Sequence, residues 1–189
     1  MGFLDRFKAS DQPQTLRGAG LTLRFPVLDD HRAWAALRKE SRAFLEPWEP
    51  DWPDDDLTYA SFRRRVRRYR ELANDDLCFP YFIFSDENRL MGAVTLSNVR
   101  RGVAQMATLG YWIGEAHARQ GHMTRALETL LPFALAELGF NRIEAACLPR
   151  NEASVRLLAK TGFEREGYAR AYLKIAGAWE DHLLFARLL

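Results

Sequence analysis

The sequence is poor in cysteine, with only Cys78 and Cys147 in 189 residues. Each stands alone in an apolar stretch, without the paired spacing typical of metal sites and disulfide frameworks. We therefore predict two buried free thiols, and neither a disulfide nor a nucleophile. No metal cofactor is predicted, because the ligand spacings that metal sites require are missing.

Long hydrophobic runs and an excess of one charge are also missing. No stretch of about 18 apolar residues occurs, and charges appear as early as Asp5 and Arg6, which argues against a membrane-spanning helix and a signal peptide. With 27 basic and 25 acidic residues the formal net charge is +2, so composition indicates no general preference for nucleic acid. We expect a cytoplasmic protein without membrane contact, made of an N-terminal arm (residues 1–19) and a single domain (residues 20–189).

Apolar periodicity predicts an α/β (α+β) fold, with a mixed central sheet of about seven strands and about four helices. Strands are predicted at residues 21–25, 79–84, 90–99, 105–113, 142–148, 164–169 and 181–189. Helices are predicted to begin near residues 30, 57, 122 and 151. The fourth and fifth strands flank a helix, and a strand–helix–strand unit of this spacing runs its two strands parallel.

Residues 111–126 pass from an apolar strand through a glycine-containing turn into an apolar helical pattern. The free N–H groups and positive dipole of the helix start, with the charge of Arg119 and Arg125, make residues 119–124 a candidate cradle for a phosphate or pyrophosphate. Taken alone this signal is weak, because dinucleotide and P-loop fingerprints contain more glycines or end in Gly-Lys-Ser/Thr. A plain strand-to-helix turn is an equally good interpretation.

Two other segments have unusual composition. Residues 44–53 place Trp48 and Trp52 among three prolines, which predicts an irregular loop whose tryptophans either line a substrate site or pack on the core. The predicted helix at residues 57–73 carries six arginines between Arg63 and Arg70. These could contact RNA or the ribosome, although a solvated helix face is the commoner outcome.

Over about residues 20–189 the chain resembles the Gcn5-related N-acetyltransferase (GNAT) superfamily. The order of elements agrees, and the motif Asn-x-x-Ser-x-x-Leu-x-x-Lys-x-Gly-Phe-x-x-Glu-Gly fits residues 151–167 throughout. The pyrophosphate-loop motif Gln/Arg-x-x-Gly-x-Gly/Ala agrees only at Gly121, since Ala118 and Met123 depart from it. The variant Gly-x-Met-Thr-x-x-Ala and the phrases at residues 44–50, 97–102, 164–169 and 179–182 are similar to the RimJ/RimL-type branch, which acetylates ribosomal-protein N termini.

The resemblance implies the GNAT fold, with the sheet splayed between its fourth and fifth strands, and acetyl-CoA as cosubstrate. The backbone of residues 111–113 would pair with the pantetheine amides like an added strand, and residues 119–124 would hold the pyrophosphate. The implied cofactor contacts are Tyr111, Trp112, Ile113, Arg119, Gln120, Gly121, His122, Met123, Thr124 and Asn151. His117 flanks this loop and is expected to be a surface or cofactor-contact residue.

Many family members protonate the departing thiolate with a tyrosine seven positions after the motif asparagine, but that position is Leu158 here. Ser154 is the substitute that the resemblance favours, and a helix hydroxyl bonded to the backbone is the alternative. The candidates for deprotonating or attracting the amine are Glu46, Glu49, Tyr172 and His182. Contacts with the acceptor are predicted for Trp48, Glu49, Asn98 and Arg101.

The resulting prediction is an acetyl-CoA-dependent N-acetyltransferase that modifies the N-terminal α-amino group of an alanine- or serine-starting protein, with a ribosomal protein favoured, by direct attack on the thioester. An α-amine with a pKa of about 7.7–8.0 is roughly a tenth neutral at pH 7, so it needs a weaker base than lysine does. Two alternatives stay open, a small-molecule amine N-acetyltransferase and a ribosome- or RNA-binding module with acetyl-CoA as ligand. A monomer or homodimer is expected.

Overall fold

The structure, a computed structural model, describes residues 14–188. In this range eight strands form one mixed sheet in the order β1-β2-β3-β4-β5-β6-β8-β7. The strands are β1 (Leu16–Gly18), β2 (Leu21–Arg24), β3 (Phe79–Ser85), β4 (Leu90–Arg100), β5 (Met106–Ile113), β6 (Arg142–Cys147), β7 (Glu164–Ile175) and β8 (Ala178–Leu188). The helices are α1 (His31–Glu40), α2 (Arg42–Leu45), α3 (Tyr59–Asn74), α4 (His122–Ala136) and α5 (Glu152–Lys160).

The sheet has one strand more than predicted, because β1 and β2 form a hairpin at its edge. The chain reverses at Ala19 and Gly20, whose φ angles are 50° and 73°, a left-handed conformation that glycine adopts without steric cost. β1 lies within the predicted N-terminal arm, so this part of the arm belongs to the sheet. Residues 1–13 of the arm lie outside the described residues.

The proline-rich loop begins more regularly than predicted. After α1 the chain forms α2 and then a 3₁₀ turn over Glu46–Trp48, with Pro47 in its first turn. Proline is tolerated there because the first N–H groups of a helix have no intrahelical partner. Trp52 lies in the irregular segment that follows, and the helix count over residues 14–188 rises from the predicted four to five.

Helices cover both faces of the sheet. α4 packs on one face, where it buries Ala126, Leu127, Leu130, Leu131 and Ala134. On the other face Trp34 of α1 and Phe62 of α3 pack together and against the aromatic side chains of β3. Among residues 14–188, no helix combines the length and apolarity needed to cross a membrane.

The sheet is split between β5 and β6. These parallel strands pair only between residues 106–108 and residues 142–144, although β5 runs on to Ile113 and β6 to Cys147. β4 follows β5 to its end, where Gly92 pairs with Ile113, so β6 is the strand that diverges. The splay predicted between the fourth and fifth strands is therefore confirmed. These strands are β5 and β6 in the structure, because β1 adds one strand before them.

Candidate active site

The gap between β5 and β6 exposes one edge of β5 from Leu109 to Ile113. The opposite edge is occupied, because Tyr111 pairs with Val94 and Trp112 pairs with Ala93 of β4. Backbone N–H and C=O groups directed into the gap can therefore pair with the amides of an extended ligand. Residues 111–113, whose backbone is expected to pair with the pantetheine amides, lie along this exposed edge.

A cavity of about 700 Å³ opens from this gap on the α4 face of the sheet, and we call it the α4-side cavity. It is lined by β5, by the end of β6 and by the starts of α4 and α5. Its lining brings together the predicted residues Tyr111, Trp112, Ile113, Arg119, Gly121, His122, Met123, Thr124, Asn151 and Ser154. Ligands of open sheets bind where neighbouring strands part, which fits this location.

The start of α4, where the phosphate cradle is predicted, lines the α4-side cavity. Gly121 precedes the helix with a φ of 76°, and nothing lies within 4 Å of the position that a β-carbon would occupy. The first N–H groups of a helix have no partner within it, and the helix dipole adds partial positive charge there. The residues therefore fit a diphosphate group, with Arg119 and Arg125 supplying formal charge.

His122 is oriented by its neighbours at the start of α4. Arg125 Nη2 donates to His122 Nδ1 at 2.6 Å, so the ring proton sits on Nε2, which lies 3.2 Å from the amide oxygen of Gln120. Burial and nearby arginines lower the pKa of both His117 and His122 below the usual range. Gln120 does not line the cavity but supports the ring that does.

Asn151 and Ser154 hold the start of α5 against the gap. The side-chain oxygen of Asn151 accepts the Ser154 N–H at 3.1 Å, which caps the helix predicted to begin near residue 151 and leaves the amide NH₂ free to donate. Tyr111 and Ser154 both line the α4-side cavity, and burial raises the pKa of the Tyr111 phenol above its usual value. Leu158, at the position of the family tyrosine, is fully buried in the core.

Glu49 lies between the two faces of the site. Its carboxylate accepts two hydrogen bonds from Arg38, both 2.7 Å, and a third from the Trp52 indole at 2.7 Å. The Arg38 guanidinium is centred 3.9 Å from the Trp52 ring and 5.0 Å from the Trp112 ring. Trp52 is thus held against this pair by stacking, while Trp48 lines the α4-side cavity.

His182 and Tyr172 lie on the β7–β8 ribbon at the far side of the gap. His182 is buried and lines the α4-side cavity. Its Nδ1 lies 2.9 Å from the Glu180 carbonyl, which can only accept, so Nε2 carries the lone pair. Tyr172 is exposed, and its ring centroid is 5.7 Å from that of His182.

A second cavity, of about 830 Å³, lies on the opposite face of the sheet, and we call it the α3-side cavity. Its floor is formed by β3, β4 and β5, and its roof by residues 49–56 and α3. Asn98 lines its far end from a bulge in β4, with a φ of 50°. The two cavities share Glu49, Gly110, Tyr111 and Trp112, so they meet at the gap.

Four of the predicted residues lie outside both cavities, namely Gln120 and Tyr172, described above, and Arg101 and Glu46. Arg101 donates two hydrogen bonds to Asp76 and one to the Leu138 carbonyl, with its guanidinium 4.4 Å from the centre of the Phe140 ring. Glu46 pairs on the surface with Arg42. Arg101 thus connects the β4–β5 turn to the segment that follows α4.

Sequence reasoning missed several residues that line the α3-side cavity. Arg38 could have been noticed, because it interrupts the apolar face of α1 four positions after Trp34. Asp56 and Arg65 gave no signal, since each stands in a run of similar charged residues.

The splayed sheet, its exposed amide edge and the helix that starts beside the gap together define an acetyltransferase of the GNAT fold. The chain belongs to this family, because the family described as "Acetyltransferase (GNAT) domain" matches residues 20–164. It is an N-acetyltransferase of the RimJ/RimL type, as its similarity to the following proteins shows.

The chain is 37% identical to the Bacillus subtilis protein named "Probable N-acetyltransferase YjcK", over 92% of this chain and 96% of the relative. It is 36% identical to the Escherichia coli "[Ribosomal protein uS5]-alanine N-acetyltransferase", over 85% and 84%. The ribosomal-protein-S5-alanine acetyltransferase of Vibrio fischeri superposes with a TM-score of 0.87 at 30% identity, over 93% and 97%. Mycobacterium smegmatis RimJ, solved in complex with CoA-disulfide, superposes with a TM-score of 0.86 at 32% identity, over 93% and 86%.

Proposed function

We propose that this protein transfers an acetyl group from acetyl-CoA to the N-terminal α-amino group of an alanine- or serine-starting protein, with a ribosomal protein as the favoured acceptor. The observation that carries the proposal is the meeting of two cavities at Gly110–Trp112. One contains a diphosphate cradle, and the other is long enough for a peptide. A ribosomal acceptor would place the reaction in the cytoplasm.

The length of the α3-side cavity supports a peptide acceptor. Its floor follows β4 from Ala93, opposite Trp112, to Val99. Six residue steps of about 3.3 Å make this floor roughly 20 Å long, which is the span of an extended peptide of about six residues. A small-molecule amine would be favoured by tryptophans closed over the acceptor site, but Trp52 is stacked on Arg38 at the wall.

The arginine-rich helix gives less support to an RNA-binding function. Arg64 and Arg65 pair with acidic side chains of the preceding loop, and Arg67 pairs with Glu71. Half of the six arginines are thus neutralised locally, which weakens the attraction to phosphate.

Bound acetyl-CoA would supply a thioester whose carbonyl carbon is attacked by the neutral amine and whose sulfur leaves as a thiol. Backbone N–H groups of β5 at the gap donate to the carbonyl oxygen. Asn151 donates its free amide to the pantetheine arm, and Arg119 and Arg125 bind the pyrophosphate. The Ser154 hydroxyl supplies the proton to the sulfur and regains one from solvent, and the Tyr111 phenol in the same cavity stays protonated because burial raises its pKa.

The amine loses its proton on the other side of the gap. Glu49 Oε1 accepts a single hydrogen bond, which comes from Arg38. One of its lone pairs is therefore left to attract the ammonium form of the acceptor amine. His182 Nε2 then accepts the proton through water, with Tyr172 packed edge-on against the ring. An α-amine suits so mild a base, since a useful fraction is already neutral at pH 7.

The experiment is an acceptor screen with acetyl-CoA. Peptides starting with alanine or serine are compared with the same peptides blocked at the α-amine, and with spermidine, aminoglycosides and free amino acids. We expect acetylation at the α-amine of the unblocked peptides, located by fragmentation mass spectrometry. Equal or faster acetylation of the small amines would overturn the proposal that the acceptor is a protein.

A further inference from the structure

The roof of the α3-side cavity contains an exposed arginine, Arg68. Four residues of α3 line this cavity, namely Arg65, Arg68, Tyr69 and Leu72. Because residues three and four positions apart share one face of a helix, these four side chains form a single stripe that faces the cavity. Arg68 is the exposed member of the stripe, whereas the other three are half-buried. A ligand in the cavity can therefore reach its side chain.

The positive charge of Arg68 is not compensated within the cavity. The two other arginines that line it are paired, Arg38 with Glu49 and Arg65 with Asp56. The Arg68 guanidinium forms neither a salt bridge nor a hydrogen bond with any side chain among residues 14–188. In this part of the chain it is thus the one cavity cation that is free to bind a carboxylate.

Arg68 lies at the far end of the cavity, close to Cys78. Burial raises the pKa of the Cys78 thiol to about 11, and the nearby Arg68 guanidinium opposes this rise. Cys78 directly precedes β3, in which Pro80 pairs with Thr95, and Thr95 pairs with Gly110 at the gap. Two strand spacings of about 4.8 Å and two residue steps of about 3.3 Å place Cys78 roughly 12 Å from Gly110.

This distance determines which part of a peptide acceptor comes beneath Arg68. An extended peptide advances about 3.3 Å per residue, so it covers roughly 12 Å in about four residues. A peptide whose α-amine lies at the gap therefore brings about its third to fifth residue to the far end of the cavity.

We propose that Arg68 binds an acidic side chain, aspartate or glutamate, at about the third to fifth position of the acceptor protein. A guanidinium forms strong, charge-assisted hydrogen bonds with a carboxylate, and two parallel bonds can form at once. The inference rests on the proposed function, because it requires a peptide acceptor. It narrows the substrate class to proteins whose N-terminal segment carries a negative charge.

The charges at the other end of the cavity support this assignment. Glu49 lines both cavities and therefore borders the gap, and Asp51 lines the α3-side cavity two residues further on. The Asp51 carboxylate has no salt bridge or hydrogen bond within residues 14–188. The cavity is thus negative where the acceptor amine enters and positive beneath Arg68. This order of charges is complementary to a peptide that has an ammonium group first and a carboxylate a few residues later.

The test is a series of alanine-starting hexapeptide amides with a single glutamate at one position from 2 to 6. Each is compared with the peptide that has glutamine there, because glutamine matches glutamate in shape but lacks its charge. For the wild type we expect kcat/KM to be about threefold to fivefold higher with glutamate at one or two of positions 3 to 5, the usual contribution of a partly exposed ion pair. Added salt should reduce this preference.

Variants of Arg68 assign the preference to this side chain. Arg68→Gln should abolish it, and Arg68→Glu should reverse it in favour of lysine at the same position. Each ratio compares two peptides with one enzyme preparation, so any loss of folded protein cancels.

Arg70→Gln is the matched control. Arg70 is also exposed and also lacks an ion-pair partner among residues 14–188, but it does not line the cavity. It follows Arg68 by two residues, which is about 200° around the helix. This variant should keep the wild-type preference.

The contrary outcomes separate this inference from the proposed function. A preference that survives in Arg68→Gln, or that Arg70→Gln loses to the same extent, would overturn the role of Arg68. A wild type that acetylates all the peptides at the α-amine with no acidic preference at any position would overturn the inference and leave the proposed function intact. Acetylation of spermidine or free amino acids as fast as the peptides would overturn the proposed function itself.

Discussion

Ser154 has a backbone role in the structure and a proposed chemical role, and the two can be separated. Its N–H is bound by Asn151 Oδ1, whereas Ser154 also lines the α4-side cavity at the gap. An alanine at this position keeps the backbone bond and removes only the hydroxyl. Alanine is also the best helix former, so the change does not weaken α5.

We expect Ser154→Ala to lower kcat by about 10²-fold, the usual range for losing a positioned proton donor. The Kd for coenzyme A should stay within about twofold, and the free energy of unfolding should change by less than about 0.5 kcal/mol. Steady-state kinetics with an alanine-starting peptide, calorimetry with coenzyme A and denaturant unfolding provide the three readings.

The matched control is Ser61→Ala in α3. Ser61 occupies the same helix position, with its N–H bound by the capping Thr58 hydroxyl at 3.2 Å, but it lies away from the gap. This variant should keep full activity. Full activity of Ser154→Ala as well would assign protonation of the thiolate to another group.

At the scale of elements, the start of α4 is where a local conformation creates a binding surface. Gly121 reaches a φ of 76° ahead of the helix, and the space above it is open. The same is true of Gly102 in the β4–β5 turn, with a φ of 64° and nothing within 4 Å. The two glycines differ in that only Gly121 adjoins free helix N–H groups.

We predict that Gly121→Ala raises the Kd for coenzyme A by about tenfold, because the added methyl occupies the space that the diphosphate needs against the first turn of α4. Strain from the left-handed conformation should also cost about 1 kcal/mol of unfolding free energy. Isothermal titration calorimetry and denaturant unfolding measure the two effects separately.

Gly102→Ala is expected to show the same strain without the loss of affinity. If both variants bound coenzyme A as the wild type does, the diphosphate would have to lie elsewhere than at the start of α4.

At the scale of the whole molecule, the Arg38–Glu49 pair connects parts of the chain that form both cavities. Arg38 belongs to α1 and lies between the rings of Trp52 and Trp112. Glu49 belongs to the tryptophan loop, and its carbonyl accepts the Ala176 N–H from the β7–β8 turn. The loop, the sheet and the ribbon are thus joined at one buried ion pair.

Arg38→Met should lower the free energy of unfolding by about 3–5 kcal/mol, because it leaves the Glu49 carboxylate without its cation. The double variant Arg38→Met/Glu49→Gln should lose less than the sum of the two single variants, which a double-mutant cycle in denaturant measures.

The exposed pair Arg42–Glu46, also close at 2.5 Å, provides the comparison. Arg42→Met should cost less than about 0.5 kcal/mol, because solvent screens a surface pair. Equal costs for Arg38→Met and Arg42→Met would show that the buried pair does not hold the loop to the sheet.

Local patterns were enough to predict much of the fold. The parallel strands around α4 follow from residues close together in sequence, the splay beside them was implied by the family resemblance, and the structure confirms both. The two cysteines are buried and free as predicted, and burial raises the pKa of both thiols to about 11. The β1 hairpin was missed because only three residues of β1 pair with β2, too few for periodicity to reveal.

The amino-acid order was sufficient wherever a property depends on neighbours along the chain, as at Gly121, Asn151 and Leu158. It was insufficient wherever the property depends on a distant partner. Arg101 is held by Asp76, 25 residues away. The adjacent residues Asp55 and Asp56 differ in exposure, because only Asp56 lines the α3-side cavity. Packing of remote segments decides which charges meet, since solvent access and pairing are properties of the folded surface.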